Sequence, residues 1–154
     1  MHFDVSRDFL DGVLLQHPQM QEGKMDVQAN ANLQFLPSSS DGTMHTAIVT
    51  LRIVVTGNEK PFAQGGWRFL YTTDESFDPK ENSGNPFLQR LLVAGSSKIL
   101  AVLNPLCMHA NMPLIPLDTQ SMVRGLQEHA QRGGPTSAQT GTVQGDPDST
   151  SSPE

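Results

Sequence analysis

A run of strict alternation between apolar and polar residues constrains the fold of this chain most. In residues 24–35, KMDVQANANLQF, the positions from Met25 to Phe35 alternate without a break. The polar positions are Asp26, Gln28, Asn30, Asn32 and Gln34. Because successive side chains of a strand point to opposite faces, the run predicts a half-buried strand over about residues 25–36. Its amide-rich face suits contact as well as exposure to water.

Three other segments also have the character of strands. Residues 3–15 alternate loosely and predict an irregular first strand that is interrupted near Gly12. Residues 43–57 are rich in β-branched residues, and residues 62–72 follow after a turn. One face of the predicted sheet takes Ala47, Val49, Leu51, Ile53, Val55, Trp67, Phe69 and Tyr71. The other face takes Met44, Ile48, Val54, Phe62 and Leu70, and this set is more apolar than contact with solvent requires.

The period then changes from two to that of a helix. From Pro86 the apolar residues recur at helical spacing, which predicts a helix of about 17 residues that Pro105 ends. Its predicted apolar stripe is Leu88, Leu91, Leu92, Gly95, Ile99, Val102 and Leu103. A second helix of about a dozen residues is predicted after Asp118, which can cap it. Its stripe is Thr119, Met122, Val123, Leu126 and Ala130.

This order of elements predicts the α+β class. A four-stranded antiparallel meander is followed by two helices, which we expect to pack on one face of the sheet. Residues 1–132 form the predicted domain. Residues 133–154 consist mainly of Gly, Pro, Ser, Thr, Gln and Asp, so we expect a disordered acidic tail.

Composition excludes several classes of partner. The formal charge of the 154-residue chain is -6, of which about -3 falls in residues 1–132, so no basic surface for nucleic acid is expected. The apolar runs are shorter than the ~20 residues of a membrane span, so no membrane insertion is expected. The single Cys107 cannot form an internal disulfide, and the N-terminus lacks the features of a signal peptide. We therefore expect a cytoplasmic protein.

The sequence contains no arrangement typical of an enzyme. The five histidines occur in no ligand spacing, which predicts no metal site. Cys107 and His109 are two residues apart, a spacing that needs no functional reason. We accordingly expect no catalytic residue and no cofactor, and we expect the protein to act by contact.

Residues from about 24 to 130 resemble the SecB export-chaperone family. The resemblance includes KMDVQANANLQF, the segment HTAIVTLRIVVTGNEKPFAQGGWRF, and the helical segment that continues through MPLIPLD at residues 112–118. It implies a homotetramer built as a dimer of dimers. It also implies that unfolded, export-bound polypeptides are held without ATP and are passed to the SecA translocase motor.

The resemblance also implies two sets of site residues. The client-binding groove would contain Phe35, Phe62, Trp67, Phe69, Leu70 and Tyr71. The contacts between subunits would involve Met44, Ile48, Val54, Leu92 and Ile99.

Two alternatives remain open from the sequence. One is a chaperone dedicated to a single partner, such as an antitoxin. The other is a binding domain or isomerase-like domain for a small apolar ligand, with a pocket that holds Trp67, Tyr71 and His45.

Overall fold

The computed structural model describes residues 1–18, 26–112, 114–115, 124 and 139–144. Within these residues it contains five strands and one helix. In chain order they are β1 (Phe3–Leu15), β2 (Val27–Phe35), β3 (Met44–Val55), β4 (Ala63–Thr73), α1 (Pro86–His109) and β5 (Gln139–Gln144). The strands form one antiparallel sheet in the order β1-β4-β3-β2-β5. The α+β class and the antiparallel sheet of the first four strands are confirmed.

The position of β1 corrects the predicted meander. Strands β2, β3 and β4 follow each other as hairpins, but β1 lies beside β4, with Phe3 opposite Thr73 and Leu15 opposite Ala63. The four strands therefore have a Greek-key order. Alternation fixes which side of a strand is buried but does not fix its neighbour. In this order β4 and β3 lie between β1 and β2. The link from Leu15 to Val27 is long enough to span them, because neighbouring strands lie only about 4.8 Å apart.

Strand β2 confirms the strongest prediction from the sequence. It pairs with β3 without a shift, from Val27 opposite Val55 to Phe35 opposite Ala47. Its alternate residues Val27, Ala29, Ala31 and Leu33 are buried. This side of the sheet, called the covered face below, packs against α1. The opposite side is called the open face.

Two glycines let α1 approach the covered face closely. A Cβ on Gly95 would lie 2.6 Å from Cβ of Val49, and a Cβ on Gly65 would collide with the side chain of Ile99. These positions tie the helix to β3 and β4. The helix begins at Pro86, where the Asn85 side chain accepts a 2.9 Å hydrogen bond from the Phe87 N–H.

The helix continues beyond the predicted end. Pro105 lies inside α1, which has 24 residues and reaches His109. A proline costs a helix about 3 kcal/mol because it removes one hydrogen bond and crowds the preceding turn. Burial of Cys107 and the hydrogen bond from Ala110 N–H to Leu106 O hold the last turn. Asn111, with φ at 53°, then ends the helix in the left-handed region.

The C-terminal predictions have different outcomes. The predicted second helix lies outside the described residues, except for Arg124. Six residues of the expected disordered tail form β5, which pairs with β2. Without β5, the outer edge of β2 would present a row of unpaired backbone groups. Even a polar segment can form hydrogen bonds with such groups. The remaining residues of the tail lie outside the described part of the chain.

By length and composition, α1 could cross a membrane. Its most apolar 18-residue window has a mean hydropathy of 1.6, and 44% of that window is buried inside the protein. Nine residues of α1 are buried. The apolar character of the helix is therefore explained by its packing on the sheet.

Replacement of Gly95 by valine tests the contact between helix and sheet. The added side chain overlaps Val49, so we expect Gly95→Val to lower the free energy of unfolding by about 2 kcal/mol or more. Urea denaturation measures the change. Gly84→Val is the matched control, because a Cβ at Gly84 meets nothing within 4 Å. Equal stability of the two variants would contradict close packing at Gly95.

Candidate interaction surface

The residues predicted for a client-binding groove do not share one surface. Phe62, Phe69 and Tyr71 are buried in the core, at 4%, 3% and 1% exposure. Trp67 is partly buried on the covered face, whereas Leu70 belongs to the open face. Phe35, at the end of β2, is also partly buried. The aromatic residues of β4 thus serve mainly to join the sheet to α1.

Phe62 corrects the predicted set of residues on the open face. Its position in the sequence places it with Leu70, but its side chain belongs to the core. Phe62 precedes β4, and its N–H donates to Ile53 O where the hairpin closes. Strand alternation therefore does not determine its direction.

The residues predicted for subunit contacts also divide into two groups. Leu92 and Ile99 lie on the side of α1 that faces the sheet and are fully buried, so their side chains offer no surface to a second chain. Met44 is 62% exposed, and Ile48 and Val54 are partly exposed on the open face. Only these three remain accessible.

A compact aromatic cluster lies at one end of the covered face. His45 stacks on Tyr71 with ring centroids 4.8 Å apart, and Phe77 meets His45 edge-on at 5.8 Å. Phe3 of β1 stacks on Phe87 of α1 at 4.4 Å. These contacts join the edge strand, the central strands and the start of the helix.

The hydrogen bonds of His45 can be satisfied by a neutral ring. The Thr73 hydroxyl donates to Glu75 O at 2.7 Å, so Thr73 Oγ1 accepts from His45 Nε2–H at 3.1 Å. Nδ1 then accepts from the Ser38 hydroxyl at 2.8 Å. Burial lowers the pKa of His45, although a hydrogen bond with the Gly42 backbone and the charges of Asp41 and Asp78 oppose the change. The ring is thus a neutral structural link.

The cluster does not form the predicted ligand pocket. His45 and Tyr71 lie together, but Trp67 is four residues from Tyr71 along β4, or about 13 Å at the rise of a strand. The Tyr71 hydroxyl is buried without a hydrogen-bond partner, and burial raises its pKa. A cavity of about 390 Å³ lies elsewhere, between the end of β1 and the β3–β4 turn, and none of these three residues lines it.

Strand β1 presents an apolar surface that the sequence analysis did not identify. Five of its large apolar side chains are between 37% and 43% exposed: Val5, Phe9, Leu10, Val13 and Leu14. They occur on both sides of a 13-residue strand at the edge of the sheet. The loose alternation of residues 3–15 could have identified the strand as an edge, because such a strand is buried on neither face. We call these five residues the β1 surface.

Trp67 holds the β1 surface in place. Its Nε1–H donates to Asp8 Oδ2 at 2.8 Å, and Lys98 of α1 forms an ion pair with the same oxygen. The Lys98 ammonium also lies 5.2 Å from the centroid of the Trp67 ring. The hydrogen bonds from Lys98 and then Trp67 lower the pKa of Asp8. The only tryptophan thus supports β1 from β4, and one lysine connects both strands to the helix.

Charged side chains cross the open face near β1. Arg68 of β4 pairs with Asp11 at 2.9 Å. The guanidinium carbons of Arg7 and Arg68 lie 5.4 and 5.9 Å from the Phe9 ring centroid. These cations lie beside an exposed aromatic ring, so the open side of β1 is amphipathic.

The described residues show neither a metal-ligand cluster nor a reactive environment for Cys107. Among them, no group of three His, Cys, Asp or Glu side chains could hold a metal ion. Cys107 is buried, and burial raises the pKa of its thiol. The nearby His109 is exposed. Burial and a raised pKa both disfavour a nucleophilic thiolate at Cys107.

No model of a known protein family matches the chain, and no curated protein matches it.

The buried histidine predicts a specific dependence of stability on pH. In the unfolded chain His45 takes up a proton near its ordinary pKa, about 6.5, whereas in the folded protein it does so only at lower pH. Stability attributable to His45 is therefore present above the ordinary pKa and is lost as the pH falls toward the folded pKa. Urea denaturation between pH 8 and about pH 5 measures this loss.

Two glutamine variants separate the contribution of His45 to the loss of stability at low pH from the contributions of other groups. We expect His45→Gln to flatten the fall in unfolding free energy over this pH range, at some cost in stability at pH 8. The control His17→Gln changes an exposed histidine and should retain the slope. Identical slopes in the wild type and His45→Gln would contradict a neutral buried ring.

Proposed function

We propose that the protein is a SecB-like chaperone that holds unfolded polypeptides without ATP and passes them to the translocation machinery, with the SecA motor as the proposed acceptor. The β1 surface is the observation that carries the proposal. It combines exposed apolar side chains with a strand edge. Unfolded chains offer complementary apolar residues and free backbone groups.

The size of the β1 surface suits weak and unspecific binding. Complete burial of a large apolar side chain contributes about 1.5–3 kcal/mol, so each residue that is two-fifths exposed can contribute about 1 kcal/mol. Five such residues together favour binding by several kcal/mol before the cost of ordering the client. The side chains are aliphatic or aromatic and form no deep pocket, so they select apolar character over a particular sequence.

The shape of the surface favours a polypeptide over a small ligand. Val5, Leu10 and Val13 occupy positions on the covered side of β1, and Phe9 and Leu14 occupy positions on the open side. A small molecule would contact only one or two of them. An extended chain that runs beside β1 can contact residues on both sides.

Homo-oligomers are part of the proposal. We assign the subunit contacts to the open face, where Met44, Ile48 and Val54 remain accessible. A dimer of dimers would place several β1 surfaces in one particle. Binding of one client at several of them would raise the overall affinity through a high effective concentration. We propose the cytoplasm as the site of action.

Suppression of aggregation tests the function. We expect the wild-type protein to suppress light scattering when a denatured, aggregation-prone client is diluted into buffer at one tetramer per client. The double variant Leu10→Lys/Val13→Lys should need about thirtyfold more protein, because it removes two apolar contacts of about 1 kcal/mol each and places charge on the strand edge. Sedimentation of the same samples measures the subunit number, which the proposal sets at four.

A polar pair on the same strand provides the matched control. Asp4→Lys/Ser6→Lys adds the same two amines to β1 at exposed positions outside the β1 surface. This variant should suppress scattering as the wild type does. Failure of the wild type to suppress scattering would reject the chaperone function, and equal activity of both double variants would reject the β1 surface as its location.

A further inference from the structure

The outer edge of β2 is occupied by the tail of the same chain. Strand β5 pairs antiparallel with β2, with Gln144 opposite Gln28 and Gln139 opposite Asn32. We propose that this edge is a second binding site, where an extended polypeptide adds as a strand after displacing residues 139–144. The proposal rests on the proposed function, because it assigns a further site for the same class of client.

The backbone of β2 determines which groups such a client would bind. Leu36 N–H donates to Thr46 O, and Asp26 O accepts from Thr56 N–H, so the even-numbered residues direct their backbone groups toward β3. Successive residues of an antiparallel strand alternate in this direction. The N–H and C=O groups of Val27, Ala29, Ala31 and Leu33 therefore point to the outer edge. Recognition there acts through backbone hydrogen bonds and does not depend on the client's sequence.

The pairing of β5 with β2, as far as the structure describes it, is short and irregular. Strand β2 has nine residues and β5 has six. Among the described residues the pairing extends from Gln28 to Asn32, with an irregularity between Asn30 and Asn32. A glycine, Gly141, also lies within β5, and glycine weakens a strand interior. A longer segment that pairs from Val27 to Phe35 would make more hydrogen bonds than β5 makes.

The tail nevertheless has the advantage of being attached. A covalent tether gives a segment an effective concentration on the order of 1 mM at its site, so a weak strand can occupy the edge in the absence of client. Occupancy for nine-tenths of the time would reduce the apparent affinity of a client about tenfold. The tail then protects an aggregation-prone edge and releases it only to segments that pair better.

The chemistry of the site defines its preferred client. Ala29 and Ala31 are small and buried on the covered side of β2, next to the core. A client segment with alternating apolar residues can extend the apolar layer there while its other residues face outward beside the amides of Asn30 and Asn32. Proline within the segment would remove the N–H groups on which pairing depends.

A proline substitution in the full-length chain tests the site. Val143→Pro lies in β5 and should prevent its pairing, whereas Ser149→Pro adds the same residue beyond the strand. We expect the amides of Ala29 and Ala31 to exchange with solvent at least tenfold faster in Val143→Pro than in Ser149→Pro, as measured by NMR. A fluorescent ten-residue peptide of alternating Val and Thr should bind Val143→Pro about tenfold more tightly than it binds Ser149→Pro, as measured by anisotropy.

The same peptide locates the binding site. On saturation it should restore slow exchange at Ala29 and Ala31 in Val143→Pro, and a version with two central prolines should not. Unchanged exchange in Val143→Pro, or binding that leaves these amides unprotected, would overturn the second site. In those cases suppression of client aggregation through the β1 surface would still stand, so the two proposals fail separately.

Discussion

The contact between α1 and the centre of the sheet is the constraint on which the rest of the structure depends. Gly95 and Val49 meet at one point of this contact, and Ile99 and Gly65 meet at another, so the helix lies over β3 and β4. Each pair combines a bulky side chain with a glycine, which brings the helix backbone close to the sheet. The central strands gain a dense core, but α1 by itself cannot cover the full width of five strands.

The consequences appear at the two edges of the sheet. Beside α1, strand β1 is secured by Trp67, Asp8 and Lys98 but keeps five large apolar side chains partly exposed. At the other edge, β2 is covered by a short strand from the tail. Both features support the proposed binding of extended chains, because strand edges and shallow apolar surfaces recognise backbone and apolar character in general.

The sequence predicts the parts of the fold that depend on local periodicity. The alternation from Val27 to Leu33 corresponds to buried residues, and so does most of the helical spacing from Leu88 to Leu103. The place of β1 beside β4 and the burial of Phe62 depend on tertiary contacts, which periodicity does not contain. Pro105 inside α1 shows the same limit, since the packing of Cys107 offsets a local preference to end the helix. The β1 surface is not predicted, because loose alternation indicates an irregular strand as readily as an exposed one.

A fluorescent label on β1 tests the central claim most directly. Cys107 is buried, so a cysteine introduced by Val13→Cys can be labelled selectively with an environment-sensitive dye. The account predicts a blue shift of the dye emission when an unfolded client is added and none with the same client in its native form. A dye on Lys80→Cys, an exposed position in the loop before α1, should show no shift in emission with either form of the client. Unchanged emission at position 13 with a client that demonstrably binds would contradict the role of β1.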